Sequence, residues 1–134
     1  MAEIKIGAVN EKQAVVTEDK LALNVGSGNV KVFATPMMIA LMEGAAAECL
    51  APFLDEGFTS VGTQMNVSHS AATPAGMKVK AAAEITAADG KRVDFKVSAS
   101  DEAGLIGEGT HTRFIVFKEK FEQKATTKKA QGKQ

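Results

Sequence analysis

The chain has 134 residues with 16 basic and 16 acidic side chains, enough for one domain with a real core and too short for two. That balance is unevenly spread: residues 1–117 carry 10 basic and 14 acidic groups, and residues 118–134 carry 6 and 2. An acidic body argues against nucleic acid as the main partner, and a single cysteine, Cys49, excludes an intrachain disulfide framework.

Taken in order, MAEIKIGAVNEK lacks the apolar core of a signal peptide, so a reducing cytoplasm is the expected setting. Ile4 and Ile6, then Ala14, Val15 and Val16, suggest strand pieces interrupted at Asn10 and ended by a Glu18-Asp19 turn. Asn24 to Asn29, NVGSGN, is a loop by composition, of the kind that rims a site or merely connects elements. The longest apolar stretch, Val32 to Phe58, reads as one helix. Thr35 serves as its N-cap and Pro36 as its first helical residue; Pro52 weakens its last turn, and Asp55, Glu56 and Gly57 stop it. Between Met37 and Leu54 only Glu43 and Glu48 are charged, so the helix is apolar nearly all round and expected to be buried. Two glutamates, a glycine and a proline oppose a membrane span, which needs about 20 predominantly apolar residues.

Beyond the helix the period becomes two. Val61, Thr63, Met65, Val67 and His69 alternate with Gly62, Gln64, Asn66 and Ser68, placing the first set on the core face. AATPAG, residues 71–76, is a turn. Met77, Val79, Ala81, Ala83 and Ile85 form one face of the next strand, and Val93, Phe95, Val97 and Ala99 one face of the strand after, with Asp89-Gly90 as the hairpin between. A turn at Asp101 to Gly104 leads into a last strand, Leu105 to Phe117, of ambiguous register, where Gly107 and Gly109 mark a bulge or a close approach. The expected class is α+β: an N-terminal strand region, one long buried helix, and an antiparallel meander of four strands with the helix on one face. Exposed strand edges suggest a dimer joined edge to edge. Residues 1–118 form the domain, and the basic segment 119–134 is expected to be a solvated, frayed tail.

Three polar groups stand where local structure gives them leverage. Glu43 has an apolar helix face around it, so its carboxylate must be paired or hydrogen-bonded, to substrate, neighbouring backbone or a dimer mate. His69 ends an apolar strand face, as a base or as a satisfied core-edge histidine. Thr35 heads the helix, where an ordinary helix start and an activated hydroxyl look the same. His111 reads as structural or surface, and Cys49 as inert core. His69, His111 and Cys49 lack metal-ligand spacing, and no P-loop, GxGxxG or GxSxG is present, so neither metal nor cofactor is expected.

VFATPMMIALMEGAAAECLAPFLDEG, then SVGTQMNVSHSAATPAGMKVKAAAEI, then GEGTHTRFIV, resemble the hot-dog-fold thioesterases, and among them the fluoroacetyl-coenzyme A branch. The resemblance covers residues 32–117 without gaps. It implies a long central helix wrapped by a five-stranded antiparallel sheet, a homodimer or possible tetramer, and an acyl-CoA substrate held at the subunit interface. It also implies Thr35, Glu43 and His69 as the catalytic set, with Gly62 and Arg113 holding substrate and Asn29 bordering it. Thioester hydrolysis suits these groups: Glu43 with Thr35 activates water or presents a nucleophile, His69 moves a proton, amides near Gly62 receive the carbonyl oxygen, and Arg113 pairs with an anionic part of the ligand. The chain departs from the fluoroacetyl pattern at Asn29, where that branch has a phenylalanine gate, and at Gly44, where it has an aromatic residue. Both changes point to an acyl-CoA thioesterase without fluoroacetyl selectivity. A hot-dog dehydratase or hydratase, in which Thr35 would be idle, and a non-catalytic acyl-CoA binding module are the competing readings.

Overall fold

In the computed structural model, which describes residues 3–132, the chain runs β1 (Val9–Val15), α1 (Ala22–Val25), α2 (Thr35–Leu50), β2 (Phe58–His69), β3 (Lys78–Asp89), β4 (Arg92–Asp101), β5 (Gly104–Phe117) and α3 (Lys118–Gln131). The five strands form one antiparallel sheet in the order β1-β3-β4-β5-β2. Alternation dictates its inner face as expected: Val79, Ala81, Ala83 and Ile85 of β3 and Val93, Phe95, Val97 and Ala99 of β4 are buried. α2 lies on that face and buries Met38, Leu41, Met42, Ala45, Ala46, Cys49 and Leu50. Each large apolar side chain fully removed from water there contributes about 1.5–3 kcal/mol. Small residues set the close approach: a Cβ on Gly107 of β5 would lie 2.7 Å from Met38 Sδ.

The meander contains three strands, not four. β3, β4 and β5 follow one another, with the predicted tight turn at Gly90 (φ 61°). β2 instead pairs with β5 at one edge, and β1 pairs with β3 at the other. The segment after β2 crosses the end of the sheet, where Ser70 N–H donates to Ile106 O, Phe33 N–H to Thr73 O and Val16 N–H to Met77 O. These bonds carry the chain past β5 and β4 before β3 begins.

Four local expectations change. The helix ends at Leu50 and passes into a 3-10 turn, Ala51–Phe53, around Pro52, so the stretch to Phe58 is not helical. Its N-cap is Ala34, with no side-chain cap, and Thr35 and Pro36 are the first two helical residues. β1 runs unbroken through Asn10, whose side-chain amide donates to Ala45 O of α2 at 3.1 Å. The basic segment expected to fray is helical to Gln131, exposed along its whole length.

β2 carries the correction that matters most for the site. Its register against β5 shifts between Gly62 and Gln64, leaving Thr63 as a bulge. Met65, Val67 and His69 keep the predicted inner face. Before the bulge the phase reverses, so Ser60 and Gly62 point inward beside Arg113 in place of Val61 and Thr63. α2 also explains its own composition: Pro36, Ile39, Ala40 and Ala47, away from the sheet, stay exposed or half-buried. No helix among the described residues is long and apolar enough to cross a membrane.

Candidate active site

Thr35 and His69 meet where α2 begins and β2 ends. Thr35 Oγ1 and His69 Nδ1 are 2.7 Å apart. Since Ala34 is the N-cap, the Thr35 hydroxyl is not spent on a backbone amide and turns to the imidazole instead. First-turn amides are otherwise occupied: Pro36 has none, and the Met37 and Met38 N–H groups both donate to Ala34 O. Both side chains border a cavity of about 310 Å³, whose walls include Phe33, Val30, Val32 and Ala22. Burial pushes the His69 pKa below its ordinary value, opposed in part by the Ala71 backbone, so the ring is neutral near pH 7. In the tautomer that leaves Nδ1 unprotonated, the threonine O–H donates to it.

Glu43 is elsewhere. Eight residues separate it from Thr35 along α2, about 12 Å of helix rise. Its carboxylate lies over Gly62 of β2, where an added Cβ would sit 2.6 Å from Glu43 Oε2, 3.0 Å from His111 Cε1 and 3.4 Å from Arg113 Nη1. Arg113 is only 7% exposed. Its Nε donates to Ser60 Oγ and its Nη2 to Ser60 O, both at 2.8 Å, and its Nη1 lies 3.2 Å from His111 Nε2. His111, 2% exposed, completes the chain with Nδ1 2.8 Å from Gln64 O, the carbonyl just past the bulge. Desolvation lowers the pKa of His111, with Arg113 adding to the effect and the Gln64 carbonyl and Glu43 opposing it. Desolvation also lowers that of Arg113, while Glu43 favours its charged form.

Within one chain, then, Thr35 and His69 come together, Glu43 joins Gly62 and Arg113, and the two groups remain apart. His111, read as structural or surface, belongs to the second group. Its signal was parity: His111, Arg113 and Ile115 alternate in β5, and Ile115 is core. Ser60 carried no sequence signal, because the bulge reverses its face. Arg113 is held by the protein rather than presented to solvent. Asn29 is exposed between Gly28 and Val30, which line the cavity beside Thr35. Gly44 opens nothing there; it accommodates the stem of Lys12 from β1, whose Cδ would lie 3.1 Å from an added Cβ. Cys49 is buried against Ala8 O, and burial raises its pKa. Among the described residues no cluster of His, Cys, Asp and Glu could hold a metal ion.

The sequence model of the family described as FlK, fluoroacetyl-CoA-specific thioesterase, matches residues 16–119. The fluoroacetyl-CoA thioesterase of Streptantibioticus cattleyicolor is 43% identical over 102 residues, 76% of this chain and 73% of that protein. The solved structure of the fluoroacetyl-CoA thioesterase FlK superposes with a TM-score of 0.89 at 36% identity, covering 94% of this chain and 98% of that one. A thioesterase superfamily member from Thermus thermophilus also gives a TM-score of 0.89, at 32% identity over 98% of this chain and 97% of its own. The sheet wrapped on one long helix is the hot-dog fold. With most of its length matched in sequence and in structure, the chain belongs to the FlK family of thioester hydrolases.

Proposed function

We propose that the protein hydrolyses an acyl-CoA thioester to the free acid and CoA, at two sites each assembled from both copies of a homodimer. The observation that carries this is the Thr35–His69 hydrogen bond at the mouth of a cavity, with Glu43 too far along α2 to join it in the same chain. A two-fold axis near Ile39, midway between Thr35 and Glu43, resolves the separation. With two α2 helices antiparallel across it, each Glu43 faces the other copy's Thr35. The same operator suits β2, an edge strand with one open side: an axis near Met65 and Asn66 pairs two β2 strands and sets His69 of one copy opposite Gly62 of the other. The uncovered side chains of α2 at Pro36, Ile39, Ala40 and Ala47 then become interface.

In such a site a water held by Thr35 and Glu43 attacks the thioester carbonyl; its proton passes through the Thr35 hydroxyl to Nδ1 of neutral His69 and on to the CoA thiolate as the C–S bond breaks, leaving the free acid. The thioester carbonyl lies between Thr35 and the incoming Glu43 carboxylate. Asn29, between two residues that line the cavity, puts no aromatic ring against it, so the acyl group is an ordinary one rather than fluoroacetyl alone.

Thiol release from short, branched, aromatic and fluorinated acyl-CoA esters tests this, with His69→Ala and Glu43→Gln alone and mixed. Each variant alone is inactive. Random exchange of subunits in an equal mixture restores one complete site in half of the dimers, about a quarter of wild-type activity. A silent mixture of exchanged dimers would sink the shared site. Ligand binding without turnover of any ester would favour a non-catalytic binding module, and turnover of the fluoroacetyl ester alone would overturn the substrate reading.

A further inference from the structure

We infer that His111 is a positioning residue for Arg113, and through Arg113 for the Glu43 carboxylate; this rests on the reading above that the Glu43 cluster faces the thioester. His111 occupies a place built for an apolar side chain. It pairs in register with Met65 on β2 and Phe95 on β4, and its ring lies 5.9 Å from that of Phe95. Burying a polar ring there costs free energy unless both nitrogens are bonded. Both are. The acceptor at Nδ1 is the Gln64 carbonyl, so Nδ1 carries the proton, and Nε2 is left as an acceptor facing a guanidinium that can only donate. One tautomer satisfies the whole chain, and it is neutral. A protonated His111 would set two cations 3.2 Å apart with no lone pair between them.

The consequence falls on Arg113. Ser60 holds Nε and Nη2, which fixes one edge of the fork, and His111 holds Nη1, which fixes its rotation. Without the second anchor the guanidinium can swing about its Ser60 contacts. With it, the remaining N–H groups stay fixed in the space over Gly62 that Glu43 shares. The bulge at Thr63 is part of the device, because the register shift it introduces brings the Gln64 carbonyl to His111.

Three substitutions separate positioning from mere packing. His111→Gln places an amide oxygen near the Nε2 position and keeps the acceptor for Arg113. His111→Asn keeps a donor near Nδ1 for Gln64 and loses that acceptor, and His111→Leu loses both. The expected result is a fall in kcat of about 10–100-fold for the Asn and Leu variants, with KM changed by less than about threefold, and recovery in the Gln variant. Misplacement of the reacting geometry has that effect, whereas loss of packing alone would leave Gln no better than Asn. In parallel, the Arg113 guanidinium 15N–1H signals should be slowly exchanging in wild type and His111→Gln and averaged in His111→Asn. If the Leu variant fails to fold, the Asn variant, which keeps the Gln64 bond, carries the comparison. Unchanged kcat and unchanged Arg113 signals in folded His111→Asn would overturn the inference. The NMR arm does not depend on turnover, so an inactive wild type would count against the proposed function while Arg113 anchoring is still decided.

Discussion

The two polar groups along α2 are built to opposite standards. The Thr35–His69 pair is joined by one hydrogen bond at the N-terminal end of the helix, beside a cavity. In the Glu43 cluster His111 and Arg113 are both buried, all three guanidinium nitrogens have partners, and a Cβ at Gly62 would press on Glu43 Oε2, while Glu43 itself is half-buried. On the function proposed above the Thr35–His69 pair exchanges protons with substrate, which suits its place beside the cavity. Groups that hold charge in a fixed direction act more strongly where water is excluded, and there every donor must be satisfied. Activity and stability should therefore respond differently at the two ends.

The largest effect should come from Thr35→Ala, with kcat falling about 10²–10⁴-fold. Because Thr35 is exposed and does not cap the helix, the melting temperature should stay within about two degrees of wild type. A matching loss of stability would show that the pair is structural and erase the contrast. Gly62→Ala should cut both ways. Its Cβ would press on Glu43 Oε2 and His111 Cε1, lowering kcat about tenfold or more and stability by about 1–3 kcal/mol in denaturant titrations. Wild-type behaviour of that variant would mean the space over Gly62 has no role.

The smallest effect is in pH. His69 and His111 both have folded pKa values below 6.5, in each case through burial first. As pH falls below that value the unfolded chain takes up protons that the folded chain refuses. Stability is therefore full above about pH 6.5 and declines as pH falls toward the folded values. Denaturant midpoints at pH 8, 6.5 and 5 should show this decline. His111→Gln should flatten it more than His69→Ala, since His111 is more buried and faces Arg113, with only Glu43 and the Gln64 carbonyl opposing. Equal flattening would mean the two ends are alike.

Much of this was legible in the sequence. Alternation in Val79 to Ile85 and Val93 to Ala99 names one buried face each, because strand side chains alternate whatever the topology. Asp89-Gly90 names its turn, and the apolar run after Thr35 names a buried helix. Glu43 and His69 were visible as polar groups in apolar settings. His111 was not, because between Gly107 and Val116 its parity holds one large apolar residue, Ile115, beside Gly107 and Gly109, while Phe114 and Val116 lie on the other.

By itself, then, the sequence determined the buried central helix, the four strands that follow it and the inner faces of β3 and β4. Those properties depend on period and residue type, which are local. Only the tertiary structure decided that β2 leaves the meander, that a bulge at Thr63 turns Ser60 and Gly62 inward, and that Glu43 keeps company with Arg113 and His111 rather than with Thr35. Pairing and register are settled between strands far apart in sequence, and a helix separates residues by a fixed rise per residue whatever their chemistry.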